Sequence, residues 1–405
     1  MNPHSDTCIS EPIIFVDDAH TYGGAQIALG WAIRALLRYR PDRAIVCVCT
    51  PASRETIQRF TGEDKNLNFV DCPPALPLNI FAFPLRLLSF YRLLAPLARQ
   101  GDRVWWFNLA GIEFCLAPLL VLKLWGLRPV AWLHNGETFR FYNANGSLQR
   151  RLISRIRDAA ARFVFPLYLR IVTPSHATEG ALKSRLRRGL RLSTGFLYPI
   201  VAVPPKEETR QNSLAGSTLQ LWIIGRVEYV HKNNIAAVEI MKRLRERNVS
   251  VCLSVVGEGP DLEHLKRSVR VFKLGEWVAF HGWQSNPWTL IPKEAIVLLP
   301  SHYEGMPLVA TEAMMRGIRI VTSPLAVFYE GVPHEMIARA FSTEAFMEKI
   351  ADVSSMDDTR VRSLYSEALM KFSENSFVTK FESLSLAGCS TEAGRKDNHS
   401  GGGNV

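Results

Sequence analysis

Residues 295–314, Ala295-Ile-Val-Leu-Leu299-Pro300-Ser-His-Tyr-Glu304-Gly-Met-Pro-Leu308-Val-Ala-Thr-Glu312-Ala-Met314, hold a strand, a turn and the start of a helix. The apolar run 295–299 has the pattern of a buried strand and breaks at Pro300 and Ser301. A Glu-Gly-x-Pro turn follows, then a helical pattern with Pro307 at its first position, where the N–H that proline lacks would have been unpaired anyway. In this reading the N–H groups of Gly305, Met306 and Leu308 stay free, and a helix start with free donors and a positive dipole end favours an anion. Glu304 before the helix and Glu312 in its second turn are badly placed to hold phosphate, because like charges repel. They are well placed to accept hydrogen bonds from neutral hydroxyls. An anion cradle flanked by hydroxyl acceptors describes a sugar nucleotide.

The same strand-to-helix unit recurs outward in both directions. Strand-like runs alternate with helical patterns at 13–16, 44–49, 67–70, 104–107, 130–133 and 170–173, then at 219–224, 249–256, 277–280, 295–299, 318–322 and 338–341. Several are apolar throughout, as parallel strands covered on both faces are. The expected fold is α/β, two doubly wound Rossmann-like domains facing across a cleft. The polar stretch 204–217 (PPKEETRQNSLAGS) is the expected joint. This predicts a first domain at 12–200, a second at 218–365, a C-terminal helix at 366–387 that can return to the first domain, and a disordered Gly/Ser-rich tail at 388–405.

A chain of 405 residues with 47% hydrophobic composition can bury full cores. Its seven cysteines are scattered without paired spacing, which fits reduced thiols in a cytosolic setting and neither a disulfide framework nor a zinc site. The polar N-terminus with early acids does not read as a signal peptide. The longest apolar stretches, 76–98 and 112–125, are interrupted by charges and fall short of the roughly 20 apolar residues of a spanning helix. Residues 1–200 carry 25 Lys+Arg against 14 Asp+Glu, a balance of +11, whereas the remainder carries 23 against 24. Such an excess suits nucleic acid, an anionic membrane or phosphorylated substrates. No base-stacking or groove-reading motif accompanies it, which argues against nucleic acid. Within 76–99, Phe81, Phe83, Phe90 and Tyr91 stand beside Arg86, Arg92 and Arg99, and more arginine follows at 149–162 and 183–191. The stretch reads either as a membrane-surface element or as a buried helix whose arginines reach out to solvent. The expected location is cytoplasmic, peripheral on the inner face of the plasma membrane.

Other junctions of the second half carry related chemistry. Leu221-Trp-Ile-Ile-Gly225-Arg226 ends a strand in glycine and arginine, with Lys232 six residues on. The two cations suit a diphosphate, the arginine as a fork and the lysine as a point charge; alone they read equally well as cations of a solvated loop. Val255-Val-Gly257-Glu-Gly259-Pro260 is a turn whose glycines permit close backbone approach, without the third glycine of a dinucleotide fingerprint. Phe280-His281-Gly282 marks a further strand end. Together these place Gly-Arg, a following Lys, a Gly-x-Gly-Pro turn and two glutamates seven residues apart in one order over 219–325. That order resembles the nucleotide-sugar domain of the family 4 retaining glycosyltransferases, which have the two-Rossmann-domain fold called GT-B. In the first half, Asp17-Asp-Ala-His20-Thr-Tyr-Gly23-Gly24-Ala-Gln26 resembles the family's first loop, with Gln26 where a charged residue is more usual. Asp17 and Asp18 read equally as turn formers. In Trp132-Leu-His134-Asn135-Gly136-Glu137, His134 matches the family's histidine near the reacting sugar, and Asn135 replaces the more usual aspartate.

The resemblance implies retaining transfer of a sugar from a UDP- or GDP-linked donor to a hydroxyl of a glycan or lipid-linked acceptor, in cell-surface polysaccharide biosynthesis. It implies catalytic roles for His134, Glu304, Arg226 and Lys232. The donor would also be held by Gly23, Gly24, Gly257, Gly305, Met306, Leu308 and Glu312. The glutamates are read as gripping sugar and ribose, not as the carboxyl pair of a glycosidase, and attack is expected on the front side. No cofactor or metal is expected, because two cations neutralise the leaving diphosphate and no Asp-x-Asp element stands at a strand end. The partners are then a nucleotide sugar, the acceptor and an anionic membrane surface, with no nucleic acid. The same architecture hosts sugar-nucleotide epimerases, and a non-catalytic sugar-nucleotide-binding scaffold would keep it too, so both alternatives stay open.

Overall fold

The computed structural model describes residues 12–19, 23–72, 83–98, 104–109, 115–127, 129–134, 159, 163–186, 193–200 and 218–386. They divide into two compact units: one takes the described residues up to Ile200 together with those from Phe372 onward, and the other runs from the joint to Lys371. The joint at 204–217, the tail at 388–405, most of the arginine-rich segment 149–162 and residues 187–191 lie outside the described residues.

The first unit is built on seven parallel strands, β1 (Ile13–Asp17), β2 (Ile45–Cys49), β3 (Leu67–Asp71), β4 (Val104–Leu109), β5 (Val130–Leu133), β6 (Arg170–Thr173) and β7 (Thr194–Phe196), in the order β3-β2-β1-β4-β5-β6-β7. Every residue of β1, β2 and β5 is buried, so their unbroken apolar runs reflect helices on both faces. The helix Gly24–Tyr39 follows β1. The helix Pro51–Thr61 follows β2, capped by Thr50, whose hydroxyl accepts from the Ser53 N–H at 3.3 Å. The helix Glu374–Leu386 completes the layer from the far end of the sequence. Its Phe381 stacks on Trp106 with ring centroids 4.3 Å apart, and its Ser385 hydroxyl accepts from the Trp106 indole at 3.2 Å. The described cysteines Cys47, Cys49, Cys72, Cys115 and Cys252 are all free.

The second unit has five parallel strands, β8 (Leu219–Ile224), β9 (Val251–Val256), β10 (Val278–Gly282), β11 (Ile296–Leu299) and β12 (Arg319–Thr322), in the order β10-β9-β8-β11-β12. The expected strand at 338–341 is not one. Its contribution is the Ala338 N–H donating to Thr322 O at 2.8 Å, beside a single bridge between Thr322 and Ile337. Of that run only Ala338 is buried, and residues 339–341 are exposed, so it does not continue the ladder beyond the bridge.

In both sheets the first strand of the unit is an interior strand and the order reverses beside it, between β1 and β4 and between β8 and β11. The crevice beyond the carboxyl ends of the strands at such a reversal is where open parallel sheets bind ligands. The loops that follow β8 and β11 therefore open into one place, and these are the loops carrying Arg226, Lys232 and Glu304.

Candidate active site

β8 runs into Gly225, whose φ of +117° turns the chain out of the sheet. Arg226 follows, its side chain 65% exposed and only loosely paired with Glu228 at 3.7 Å. A single helical turn, Tyr229–Lys232, then ends on Asn233 in the left-handed conformation (φ 50°, ψ 41°), which also starts the helix Asn234–Glu246. Asparagine is one of the few residues that tolerates this region. Its side chain has a second use, donating from Nδ2 to the Pro300 carbonyl at the end of β11 at 3.2 Å. The His231 carbonyl accepts from the His302 and Tyr303 N–H groups at 2.9 and 3.2 Å. The turn after β8 and the loop after β11 are thus stitched together by backbone and side chain.

That stitching brings together two residues 72 positions apart. The Lys232 ammonium donates to both oxygens of Glu304, at 2.7 and 2.8 Å, and the Ser301 hydroxyl donates to Oε1 at 2.7 Å. Ser301 is itself fixed, since its carbonyl accepts from the Ser323 hydroxyl after β12 at 2.5 Å. The sequence suggested separate tasks for these two residues, a cation for phosphate and a carboxylate for sugar hydroxyls; the structure joins them in one ion pair. Beside it, the His231 Nδ1 contacts Glu228 at 3.1 Å, and this contact chiefly holds Glu228 below the usual carboxylate range.

One sequence expectation at this site is corrected. Pro307 is not the first residue of the helix but its cap, with extended backbone (φ −76°, ψ 109°), and the helix itself is Leu308–Met315. The Pro307 carbonyl accepts from Ala310 at 3.1 Å. A cap needs non-helical ψ, which proline's fixed φ allows as well as the helical one does. Gly305, Met306 and Leu308 still stand at the mouth of this helix, with Glu312 in its second turn. Glu312 is half-buried, and the Trp288 indole donates to its Oε2 at 2.8 Å.

The glycines of the second unit separate by cause. A Cβ on Gly257, whose φ is +130°, would lie 1.9 Å from the Gly225 carbonyl oxygen, and one on Gly259 would lie 2.2 Å from Val227 O. Both are demanded by the crossing of two loops, so their being glycine says nothing about a ligand. Gly23, in the first unit, is the opposite case. Its backbone is extended (φ −171°), and an added Cβ would meet nothing closer than Gln26 Oε1 at 3.6 Å. Gly23 caps the helix Gly24–Tyr39, whose first turn contains no acid; nothing among the described residues requires glycine there.

Beneath that cap, Asp17 and Asp18 are buried and engaged. Gln26 donates from Nε2 to Asp17 at 3.2 Å, the role its sequence position left open. Burial pushes the Asp17 pKa up to about 6. Asp18 accepts from the Cys115 N–H and from Arg86, each at 2.8 Å. His20 lies outside the described residues, as do Asn135, Gly136 and Glu137. His134 at the end of β5 packs its ring on Trp132, centroids 4.6 Å apart, and its Nε2 meets Asn108 Oδ1. Burial depresses its pKa to about 3, so at neutral pH it is an uncharged hydrogen-bonding group.

Comparison with known proteins adds a family match to part of the chain. Residues 205–368 match the family described as glycosyl transferases group 1. The match falls on the second unit and covers less than half of the chain. Across the whole chain the GT-B fold is shared with solved structures: Anabaena HepE in complex with UDP and glucose (TM-score 0.68, 14% identity, 92% of this chain and 99% of that one) and sucrose-phosphate synthase from Thermosynechococcus elongatus (TM-score 0.69, 16% identity, 94% and 100%). Among curated proteins, the lipopolysaccharide 1,6-galactosyltransferase of Escherichia coli K12 is 27% identical over 156 residues. That match spans 36% of this chain and 41% of the relative.

Sequence reasoning missed Ser301, Asn233 and Trp288. Asn233 carried a signal, an asparagine between two helical patterns. The other two did not, since a serine and a tryptophan become partners of Glu304 and Glu312 only when the loops are folded.

Proposed function

We propose that the protein is a retaining glycosyltransferase of family 4. In this reading it moves a sugar from a nucleotide-diphosphate donor to a hydroxyl of a glycan or lipid-linked acceptor, in the building of a cell-surface polysaccharide. The observation that carries it is the Lys232–Glu304 pair at the strand-order reversal of the second sheet, next to Arg226 and the start of the helix Leu308–Met315. A lysine ammonium has three N–H donors. Two go to Glu304, which leaves one for a phosphate oxygen, while Glu304 accepts from a sugar hydroxyl. Arg226 is exposed enough to close on the diphosphate as a fork. Glu312, steadied by Trp288, accepts from the ribose.

Chemically, the bond between the anomeric carbon and the β-phosphate oxygen breaks while the acceptor oxygen bonds to that carbon on the same face. The acceptor's proton passes to the departing phosphate oxygen. Arg226, Lys232 and the helix dipole stabilise the charge growing there. Neither glutamate is asked to attack. His134, neutral, is assigned to the sugar as a hydrogen-bonding group, and the helix start at Gly23 and Gly24 to the diphosphate. A cell-surface acceptor is supported by the lipopolysaccharide galactosyltransferase relative.

The test is thermal unfolding with UDP, GDP and ADP. The matching nucleotide should stabilise the protein by about 2.7 kcal/mol at a hundredfold excess over Kd. Glu312→Ala should weaken that ligand by about 1.5–3 kcal/mol, a charged hydrogen bond. No stabilisation by any nucleotide would remove the donor-site assignment.

A further inference from the structure

The helix Phe83–Ala98 is apolar on both sides, and only one side is covered. Phe90 and Leu94 are buried in the unit's core. Arg86, which the sequence grouped with surface arginines, instead turns inward to the buried Asp18. The outward face carries Leu85 at 61% exposure, Leu88 at 46% and Tyr91 at 41%, next to the exposed Arg92. These positions fall at helical spacing, so they form one stripe. The neighbouring helix Leu116–Leu124 extends the stripe with Leu124, 69% exposed, and the Trp125 ring lies 5.1 Å from that of Tyr91. An open groove of about 260 Å³ runs between them, lined by Tyr91, Ala95, Ala98, Trp125 and Leu127. A solvent-facing helix normally presents polar residues outward, and a contiguous exposed apolar face marks an interaction surface.

We infer that this face seats on an anionic lipid surface. Neither helix contains a single acidic residue, and both carry cations, Arg92 and Lys123. They belong to the half of the chain with a balance of +11. A second copy of the chain would bring like charge to the contact, which disfavours self-association. Tyr and Trp beside Leu and Arg are the side chains that settle at the boundary between headgroups and acyl chains. Among the described residues no helix is long and apolar enough to cross a membrane, so the contact is one of lying on the surface. The inference deepens the lipid-linked-acceptor reading above, but it stands on the helix face alone.

The test is sedimentation with vesicles of phosphatidylcholine, pure or mixed in equal parts with phosphatidylglycerol. The full chain should pellet with the mixed vesicles at low salt and lose most of that binding at high salt. Leu85→Ser/Leu88→Ser/Tyr91→Ser should stay folded, because none of the three side chains lies in the buried core, and bind at least about tenfold more weakly. Arg92→Glu should weaken binding further at low salt than at high salt. Equal binding to both vesicle types, equal binding by the triple variant, or a concentration-dependent dimer that the triple variant abolishes would each overturn the inference. Thermal stabilisation by nucleotide, measured without vesicles, separates the two readings: vesicle binding without nucleotide stabilisation refutes the donor site, and nucleotide stabilisation without vesicle binding refutes the surface.

Discussion

Removing either member of the Lys232–Glu304 pair should not cost the same. The Glu304 side chain is 7% exposed, whereas that of Lys232 is 33% exposed. Lys232→Ala leaves a nearly enclosed carboxylate with the Ser301 hydroxyl as its remaining named donor. An uncompensated buried charge of this kind costs about 3 kcal/mol, toward the low end of the range because the space left by the lysine can admit water. Glu304→Ala leaves an ammonium that rehydrates from its exposed third, at a cost of about 1 kcal/mol. The expected order is therefore Lys232→Ala below Glu304→Ala by about 2 kcal/mol. The double variant should recover most of the difference, because no charge is left behind. Urea unfolding at neutral pH and low salt measures this. The chain has two units, so the comparison is confined to the transition that both variants shift. Transfer should fall in both by roughly a hundredfold or more. A Glu304→Ala as costly as Lys232→Ala, an additive double variant, or near-wild-type transfer in either single variant would refute the reasoning.

Gly257→Ala forces a Cβ to within 1.9 Å of Gly225 O at φ +130° and should cost about 3 kcal/mol or more. Gly23→Ala should leave stability within about 0.5 kcal/mol, and nucleotide affinity is where its loss should appear; thermal melts with and without nucleotide separate the two. Asp17 has a folded pKa of about 6 against an ordinary 3.8. Its contribution to stability is thus full below 3.8 and lost as pH rises through about 6. Asp17→Asn, whose amide oxygen still accepts from Gln26, should gain stability relative to the wild type across that window, by at most about 3 kcal/mol, in urea titrations at stepped pH. Asn233→Gly keeps the left-handed backbone and loses only the bond to Pro300 O, about 1 kcal/mol, whereas Asn233→Ala adds about 1–2 kcal/mol of backbone strain. Both should raise the rate at which an amine-reactive reagent labels Lys232, read by mass spectrometry. Unchanged labelling would show that Asn233 does not position the pair.

The strands were legible where burial on both faces left an unbroken apolar run, as in β1, β2, β5 and β11. β7 was not, because it has three residues and one is Gly195, a position where a Cβ would lie 2.7 Å from Leu384 Cδ2. That glycine answers to a helix almost two hundred residues away, and no local pattern announces it. The residues of the site were legible as types at strand ends; their pairing was not. Lys232 and Glu304 each looked like a ligand contact, and Arg86 looked like a surface cation until Asp18 was found beneath it. Of the aromatic residues the sequence groups in this helix, Phe90 faces the core, while Tyr91 is exposed beside Leu85 and Leu88. Long-range ion pairs and the inward or outward sense of a helix apolar on all sides belong to the tertiary fold, and the one-dimensional pattern carries neither.

The central claim is most directly tested by following the release of nucleoside diphosphate from a panel of UDP- and GDP-hexoses, with the wild type beside Lys232→Ala. At least one donor should be consumed by the wild type and by the variant roughly a hundredfold more slowly or less. Release that is the same in both proteins, or no release from any donor, would contradict it.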